Sequence, residues 1–389
     1  MSKHGAGGGA RVVLNGVGKR YGRAVVLSDV DLDIPAGSFC TFLGPSGSGK
    51  TTTLNIVGGL TPPDGGAVHI DQVDATHLVP EKRGLGFVFQ SYALFPHMTV
   101  AKNVAYPLRM RGIGGGERDR LVQEALELVR LGEIAHRYPS QLSGGQQQRT
   151  ALARAIVFGP KVLLMDEPLS ALDAGLRTHL QREIVRIARE IGCTVLYVTH
   201  DQEEALSMSD QIVLFNAGRV EQIGTPESLY RSPDTAFAAR FIGNGRLFAG
   251  RIGQADHGPV LVGADGVVIP VDAGAVARHG LGAGTEAAAV FRPETISLLS
   301  PELTPGNQEG DAHLIARGRI ADRIFVGGQV KLIVALDGEQ TFECRSDVTR
   351  CPWQVGDNVS IGVSDVARPS VVPVPASPAV PAGAAADNQ

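Results

Sequence analysis

Gly44-Pro45-Ser46-Gly47-Ser48-Gly49-Lys50-Thr51, directly behind the apolar run Ser38–Leu43, decides how this chain is read. The stretch fits the spacing G-x-x-x-x-G-K-[ST] after a strand pattern. Glycines let backbone N–H groups wrap a phosphate. A helix starting near Gly49 points its positive end at the same place. Lys50 offers a cation to β- and γ-phosphates, and Thr51 offers a hydroxyl to Mg²⁺. The plainer reading is a Gly-rich turn between a strand and a helix.

Outward from that loop, strand and helix patterns alternate. Ser38–Leu43, Val162–Met165 and Thr194–Val198 are short and apolar, as expected of strands buried on both faces of a parallel sheet. Leu176, Leu180, Ile184, Ile187 and Ile191 recur at spacings of four and three, which predicts an amphipathic helix over Asp173–Ile191. The region from Arg11 to about Ile242 therefore reads as α/β. Arg118–Arg130 and Gly144–Val157 have helical patterns, so residues 99–158 read as a helical insertion. From Leu247 to Ala367 the pattern changes. Pro259–Val262, Val267–Val271, Ala288–Arg292, Gln329–Leu336 and Asn358–Val363 are short runs between Gly and Asp turns, which predicts a small β-barrel or sandwich. Residues 1–10 are Gly-rich and 369–389 are rich in Pro and Ala, and both are expected to be disordered.

Composition bounds the answer. The 389 residues suggest two to three domains, and 43% hydrophobic residues support a buried core. With 36 Lys+Arg against 40 Asp+Glu the net charge is −4, which leaves no basic footprint for nucleic acid. No apolar run reaches the ~18 residues of a membrane span. Met1–Arg11 lacks the apolar stretch of a secretory signal. Four cysteines, Cys40, Cys193, Cys344 and Cys351, are too few for a disulfide scaffold and lack zinc spacing. The expectation is a soluble, reduced, cytoplasmic protein.

Two further segments carry chemistry. Asp166 ends the run Val162–Met165 and Glu167 follows it. A carboxylate at a strand end can hold Mg²⁺, and the next can orient or deprotonate an attacking water. Ser143 and Gln146 in Leu142-Ser-Gly-Gly-Gln146 form a capping-box pattern at a helix start. The same geometry exposes the amides of Gly144 and Gly145 as a second anion site, partial because it lacks a lysine. Asp201 and Glu204 read as another capping box. Arg109, Arg111, Arg118 and Arg120 read as a solvated basic loop.

Taken together, the phosphate loop, Asp166-Glu167 and the five-residue run Leu142–Gln146 resemble those of the ATP-binding-cassette ATPases, over Arg11 to about Ile242. The resemblance implies a P-loop NTPase (RecA-like) core with a helical insertion. It also implies two copies paired head to tail, with each ATP between Gly44, Pro45, Ser46, Gly47, Ser48, Gly49, Lys50, Thr51 and Thr52 of one chain and Ser143, Gly144, Gly145 and Gln146 of the other. Tyr21 takes the position of an aromatic that stacks on adenine, and Asp173, in Ser170–Asp173, lies on the loop crossing the dimer interface. Thr51, Gln90 and Asp166 would serve Mg²⁺, Glu167 would activate water, and His200 would hold it in line against the γ-phosphate.

Ser91–Val100 is similar to the segment of importer ATPases for sugars, polyamines, ferric iron and sulfate, in which a transport-associated OB domain follows. Phe291-Arg-Pro-Glu294 resembles a Val-Arg-Pro-Glu motif of that domain. The resemblance is nearest to the spermidine/putrescine group, with ferric iron and phosphonate importers beside it. It implies membrane permease subunits, an extracytoplasmic solute-binding protein, and a peripheral place on the cytoplasmic face of the cell membrane. A soluble, non-transport ATPase of the same family stays open as an alternative.

Overall fold

The computed structural model describes residues 8–170, 172–264, 266–301, 308–309, 312–336, 341–364 and 368–374. The chain divides into two compact units, Met1–Glu227 and Ser228–Gln389.

The first unit holds two sheets. A six-stranded sheet runs in the order Arg219–Gly224, Gln211–Asn216, Phe39–Leu43, Thr194–Thr199, Val162–Asp166, Gly86–Val88. Its last five strands are parallel, and Arg219–Gly224 closes one edge antiparallel. Every residue of Phe39–Leu43 and Thr194–Thr199 is buried, as strands covered on both faces must be. The second sheet is antiparallel, in the order Ala24–Ile34, Val12–Tyr21, Gly65–Ile70, Val73–Asp74. It departs from the expected strand–helix alternation over the first seventy residues. The burial of Ala24–Ile34 alternates along its second half, which marks a strand with one covered face.

Two apolar clusters sit on this frame. One joins Phe42, Leu54, Ile56, Val57 and Val198 with the antiparallel sheet. The other joins Leu163, Met165 and Tyr197 with the helical insertion. That insertion contains Val100–Met110, Gly115–Leu128 and Gly144–Ile156. The first of these was hidden in the sequence by Pro107, which lies inside it. Asp173 caps Ala174–Ile191 through the amide of Leu176, and Gly192 ends that helix in a left-handed conformation.

The second unit is all-β apart from short helices. One antiparallel sheet has the order Val268–Pro270, Gly258–Val262, Arg246–Ala255, Glu286–Phe291, Val371–Pro373. The other has Ile296–Leu299, Asn358–Ser364, Ala312–Val326, Gln329–Leu336, Thr341–Asp347, with Gln308–Glu309 on Ala312–Val326. Ile252, Leu261, Phe291, Leu332, Phe342 and Ile361 share one core between them.

Three expectations need correcting. The disordered tail from 369 does not begin there: Val371–Pro373 is a strand paired with Ala287–Ala289, with Val371 and Val372 buried. Residues 375–389 lie outside the described residues. At the other end Ala10 is fully buried, while residues 1–7 lie outside the described residues. The division between units falls within the helix Pro226–Arg231, ahead of the expected junction after Ile242. The reason is Arg292. Its buried guanidinium donates to the carbonyls of Tyr230, Ala239 and Ile242, which ties residues 228–242 to the second unit.

Candidate functional site

Three neighbouring parallel strands, Phe39–Leu43, Thr194–Thr199 and Val162–Asp166, end on one edge. Just past those ends lie Gly44–Thr51, His200 and Asp166-Glu167. Ligands of open α/β sheets bind at the carboxyl ends of strands, because loops and helix N-termini gather there.

The loop is shaped by backbone needs. A Cβ on Gly44 would lie 2.3 Å from the carbonyl oxygen of Phe215. At Gly49, φ is 103° and a Cβ would meet Leu27 at 2.4 Å. Only glycine fits at either position. Gly49 caps the helix Lys50–Gly58 without a side-chain hydrogen bond, so the first amides of that helix are left for a ligand. Lys50 is buried and donates to the carbonyls of Gly44 and Pro45, at 2.9 and 2.8 Å. Burial holds its ammonium below the usual lysine range, against the pull of Glu167 and Asp166.

The acidic side is equally specific. Thr51 Oγ1 donates to Asp166 Oδ1 at 2.9 Å. Burial pushes the Asp166 carboxyl up, and the Thr51 bond works against that shift. Glu167 sits at φ 42°, a conformation that L-residues adopt at a cost and that clusters at functional sites. Its amide donates to Val198 O at 3.0 Å and fixes the turn. Its carboxylate meets His200 Nδ1 at 3.1 Å and Gln90 Nε2 at 3.4 Å. The Gln90 amide also lies 3.4 Å from Ser170 Oγ, which donates to Glu167 O at 2.9 Å. One carboxylate is thus oriented from two sides, an arrangement suited to polarising a water.

Other expected site residues stand apart from this centre. Tyr21 ends its strand at 53% exposed, a free aromatic face beside Lys19, whose Nζ is 5.5 Å from the ring centre. Asp173 spends one oxygen on the amide of Leu176. Ser143 and Gln146 form the full capping box: the Ser143 hydroxyl accepts from the Gln146 amide, and the Gln146 side chain accepts from the Ser143 amide. The helix they open packs into the cluster with Leu152 and Ile156, whereas the Lys50 helix packs into the cluster with Leu54 and Ile56. No hydrogen bond or ion pair among the described residues joins Ser143–Gln146 to Gly44–Thr52.

Asp201 and Glu204 do not form the expected capping box. Asp201 caps the amides of Glu203 and Glu204, but Glu204 turns inward, where Tyr197 and Thr199 hydroxyls donate to it at 2.8 Å each. Burial pushes its carboxyl up. Arg177, 3.3 Å from Asp201 and 3.1 Å from Leu172 O, ties this cluster to the turn before Asp173. Sequence reasoning missed Arg154 and Arg177, and read Glu204 only as part of a cap. The available signal was a charged residue on the apolar side of a helix, as Arg154 is beside Ala151 and Ala155.

The expected basic loop is mostly helix: Arg109 lies on Val100–Met110 and Arg118 and Arg120 lie on Gly115–Leu128. Arg111 lies 3.6 Å over the Phe158 ring and Arg120 pairs with Glu124 at 2.6 Å. The four cysteines are free. No helix among the described residues is long and apolar enough to cross a membrane.

Comparisons with known proteins point to one family. The family "ABC transporter" matches residues 27–170 and the family "TOBE domain" matches residues 289–367. The chain is 41% identical to the spermidine/putrescine import ATP-binding protein PotA of Nitrosomonas eutropha, covering 84% of this chain and 88% of that one. It is 44% identical to the protein of the same name from Marinobacter nauticus, covering 83% and 84%. For that of Bacillus cereus the figures are 41% identity, 90% and 96%. Among solved structures, the dimeric post-hydrolysis state of the ATP-binding cassette MJ0796 bound to ADP and Pi aligns at 37% identity and TM-score 0.50. It covers 55% of this chain and 98% of that one.

Proposed function

The chain belongs to the ABC transporter family of ATP-binding proteins, and on that premise we propose that it is the ATP-hydrolysing subunit of an importer for spermidine and putrescine. The observation that carries the reading is the meeting of Lys50, the Thr51–Asp166 pair and the Gln90–Glu167–His200 group at the ends of four adjacent strands. The names of relatives at 41–44% identity support the solute class.

In the proposed reaction the Gly44–Thr52 backbone and Lys50 hold the β- and γ-phosphates. Glu167 takes a proton from the attacking water or aligns it, with His200 and Gln90 fixing its carboxylate. Tyr21 offers its exposed ring to the adenine. The hydroxyl of Thr51 and the carboxylate of Asp166, 2.9 Å apart, are a hard-oxygen pair that fits Mg²⁺, with Gln90 near; bound there, the ion would offset phosphate charge. Lacking a cation of its own, Ser143–Gln146 acts on the nucleotide of a second copy, with Asp173 at the shared surface. ATP then favours the closed pair of chains, and closure does the work of transport.

Permease subunits hold the chain at the cytoplasmic face of the membrane, and an extracytoplasmic binding protein completes the system. An open, mostly apolar groove lined by Phe87, Phe89, Phe95, Tyr106 and Phe158, with Arg154 in its wall, supports permease docking on the first unit.

The test is Glu167→Gln, with ATP binding and turnover measured side by side. Binding should persist while turnover falls about 10²–10⁴-fold. Near-wild-type turnover would remove Glu167 from its role. A strain carrying only this variant should lose uptake of labelled spermidine and putrescine. Intact polyamine uptake with loss of ferric iron, phosphonate, sulfate or sugar uptake would reassign the solute.

A further inference from the structure

Gln90 reaches Glu167 from a segment whose backbone is unusual. Two consecutive residues just after it, Tyr92 and Ala93, have φ of 59° and 46°. Residues with a Cβ rarely take the left-handed conformation, and two in a row need an outside partner to hold them. Their amides close tight turns, Tyr92 N to Phe89 O at 2.9 Å and Ala93 N to Ser91 O at 2.7 Å. Their carbonyls are therefore turned to one side. There the guanidinium of Arg154 donates Nη2 to Tyr92 O at 2.8 Å and Nη1 to Ala93 O at 2.7 Å. A planar, pre-organised fork meets both carbonyls with its two terminal nitrogens, one to each. Asn103 pins the far end, accepting from Phe95 N and donating to the carbonyls of Phe95, Met98 and Thr99. Only a few residues thus separate Gln90 from a backbone fixed by Arg154.

Arg154 also occupies a distinctive place on its own helix. Gly144–Ile156 starts at Ser143 and carries Arg154 in its last turn. A 13-residue helix is about 20 Å long, so one unbroken run of backbone hydrogen bonds joins its two ends. Its N-terminus faces the proposed nucleotide of a second copy, and its last turn grips the segment that carries Gln90.

We propose that Arg154 is a positioning residue for ATP hydrolysis: by clamping Tyr92 and Ala93 in their left-handed conformation it keeps Gln90 beside Glu167, and it links that contact to movement of the helix that begins at Ser143. The proposal rests on the reading of Glu167 and Gln90 given above. A change of the helix on closure is passed to Gln90 through these two hydrogen bonds, alongside the packing of Tyr92 in the same apolar cluster as Ala151 and Ala155.

The test uses the purified full chain and three variants. Arg154→Met should lower kcat at least tenfold, with KM and nucleotide affinity within twofold of wild type. Ala93→Gly alone should be near neutral. Added to Arg154→Met, it should restore kcat at least threefold, because glycine takes the left-handed conformation without a clamp. A merely structural role would lower Tm, nucleotide affinity and kcat together without rescue by Ala93→Gly, and that result overturns the proposal. So does kcat within twofold of wild type. If Arg154→Met does not fold, Arg154→Lys is judged by the same criteria. Glu167→Gln in the same series separates the two ideas: if its turnover is intact the catalytic reading fails, whatever Arg154 does.

Discussion

Two helix starts in the first unit face the same chemical task and are built differently. The helix Lys50–Gly58 is entered through Gly49 at φ 103°, with no side-chain cap and with Lys50 tucked under the loop. The helix Gly144–Ile156 is entered through Ser143 at φ −66°, with a complete capping box and no cation in its first turn. The first leaves its amides open and depends on a ligand to satisfy them. The second satisfies itself and keeps only glycine amides to spare. An uncapped, lysine-bearing turn is a whole anion site, whereas a capped turn without lysine is half of one. The difference explains why a single chain holds both and why the proposed reaction needs two chains.

The sharpest way to break that comparison is Lys50→Ala. Nucleotide affinity should fall about 10- to 100-fold, the worth of a charge-assisted contact to phosphate. Unchanged affinity in equilibrium titration would equate the two helix starts. In stability rather than binding, Arg292→Met leaves three backbone carbonyls without their partner and should cost about 2–4 kcal/mol in unfolding of the second unit, with nucleotide affinity unchanged. Denaturant titration followed through Trp353, which packs on the core of that unit, reads it directly. Ser143→Ala comes next. Loss of the cap should cost about 1 kcal/mol and lower turnover about fivefold, while nucleotide affinity of the isolated chain stays put. A matching loss of affinity would mean that Ser143 serves its own chain's nucleotide.

The smallest effect is a pH dependence at Glu204. Burial raises its carboxyl above the ordinary 4.5, although the Tyr197 and Thr199 hydroxyls and Arg177 favour the ionised form; nearby Asp201 adds to the rise. A carboxyl raised on folding contributes stability below 4.5, and that contribution is lost as pH climbs through the folded value. Glu204→Gln should therefore match wild type near pH 4 and gain relative to it toward neutral pH, in urea midpoints taken across that range. The opposite slope would show that the hydroxyls and Arg177 outweigh burial.

Much of the phosphate site was legible because its chemistry is local. Gly44 to Thr51 must be contiguous to wrap one phosphate, and Asp166-Glu167 must follow a strand to reach it. The capping box at Ser143 is also a local pattern, and the sequence shows it whole. The three-residue spacing of Asp201 and Glu204 offered the same pattern, yet Glu204 turned inward, because Tyr197 and Thr199 on the neighbouring strand present hydroxyls that a backbone amide could not outbid. The tail was misjudged for a related reason. Proline-rich composition argued for disorder, but Val371 and Val372 find an open sheet edge at Ala288 and Ala289.

What the sequence determined by itself is whatever depends on residues within a few positions of one another: the phosphate loop, the helix caps, the strand-end carboxylates, and the change from α/β to all-β pattern. What only the tertiary structure decided depends on partners far apart in the chain. His200 and Gln90 converge on Glu167 because three strands distant in sequence lie in one sheet. Arg154 meets Tyr92 and Ala93 across some sixty residues, and Arg292 gathers residues 230, 239 and 242 into its own unit. Such contacts leave no periodic trace, because a buried guanidinium is specified by the carbonyls that fold around it and not by its neighbours in sequence.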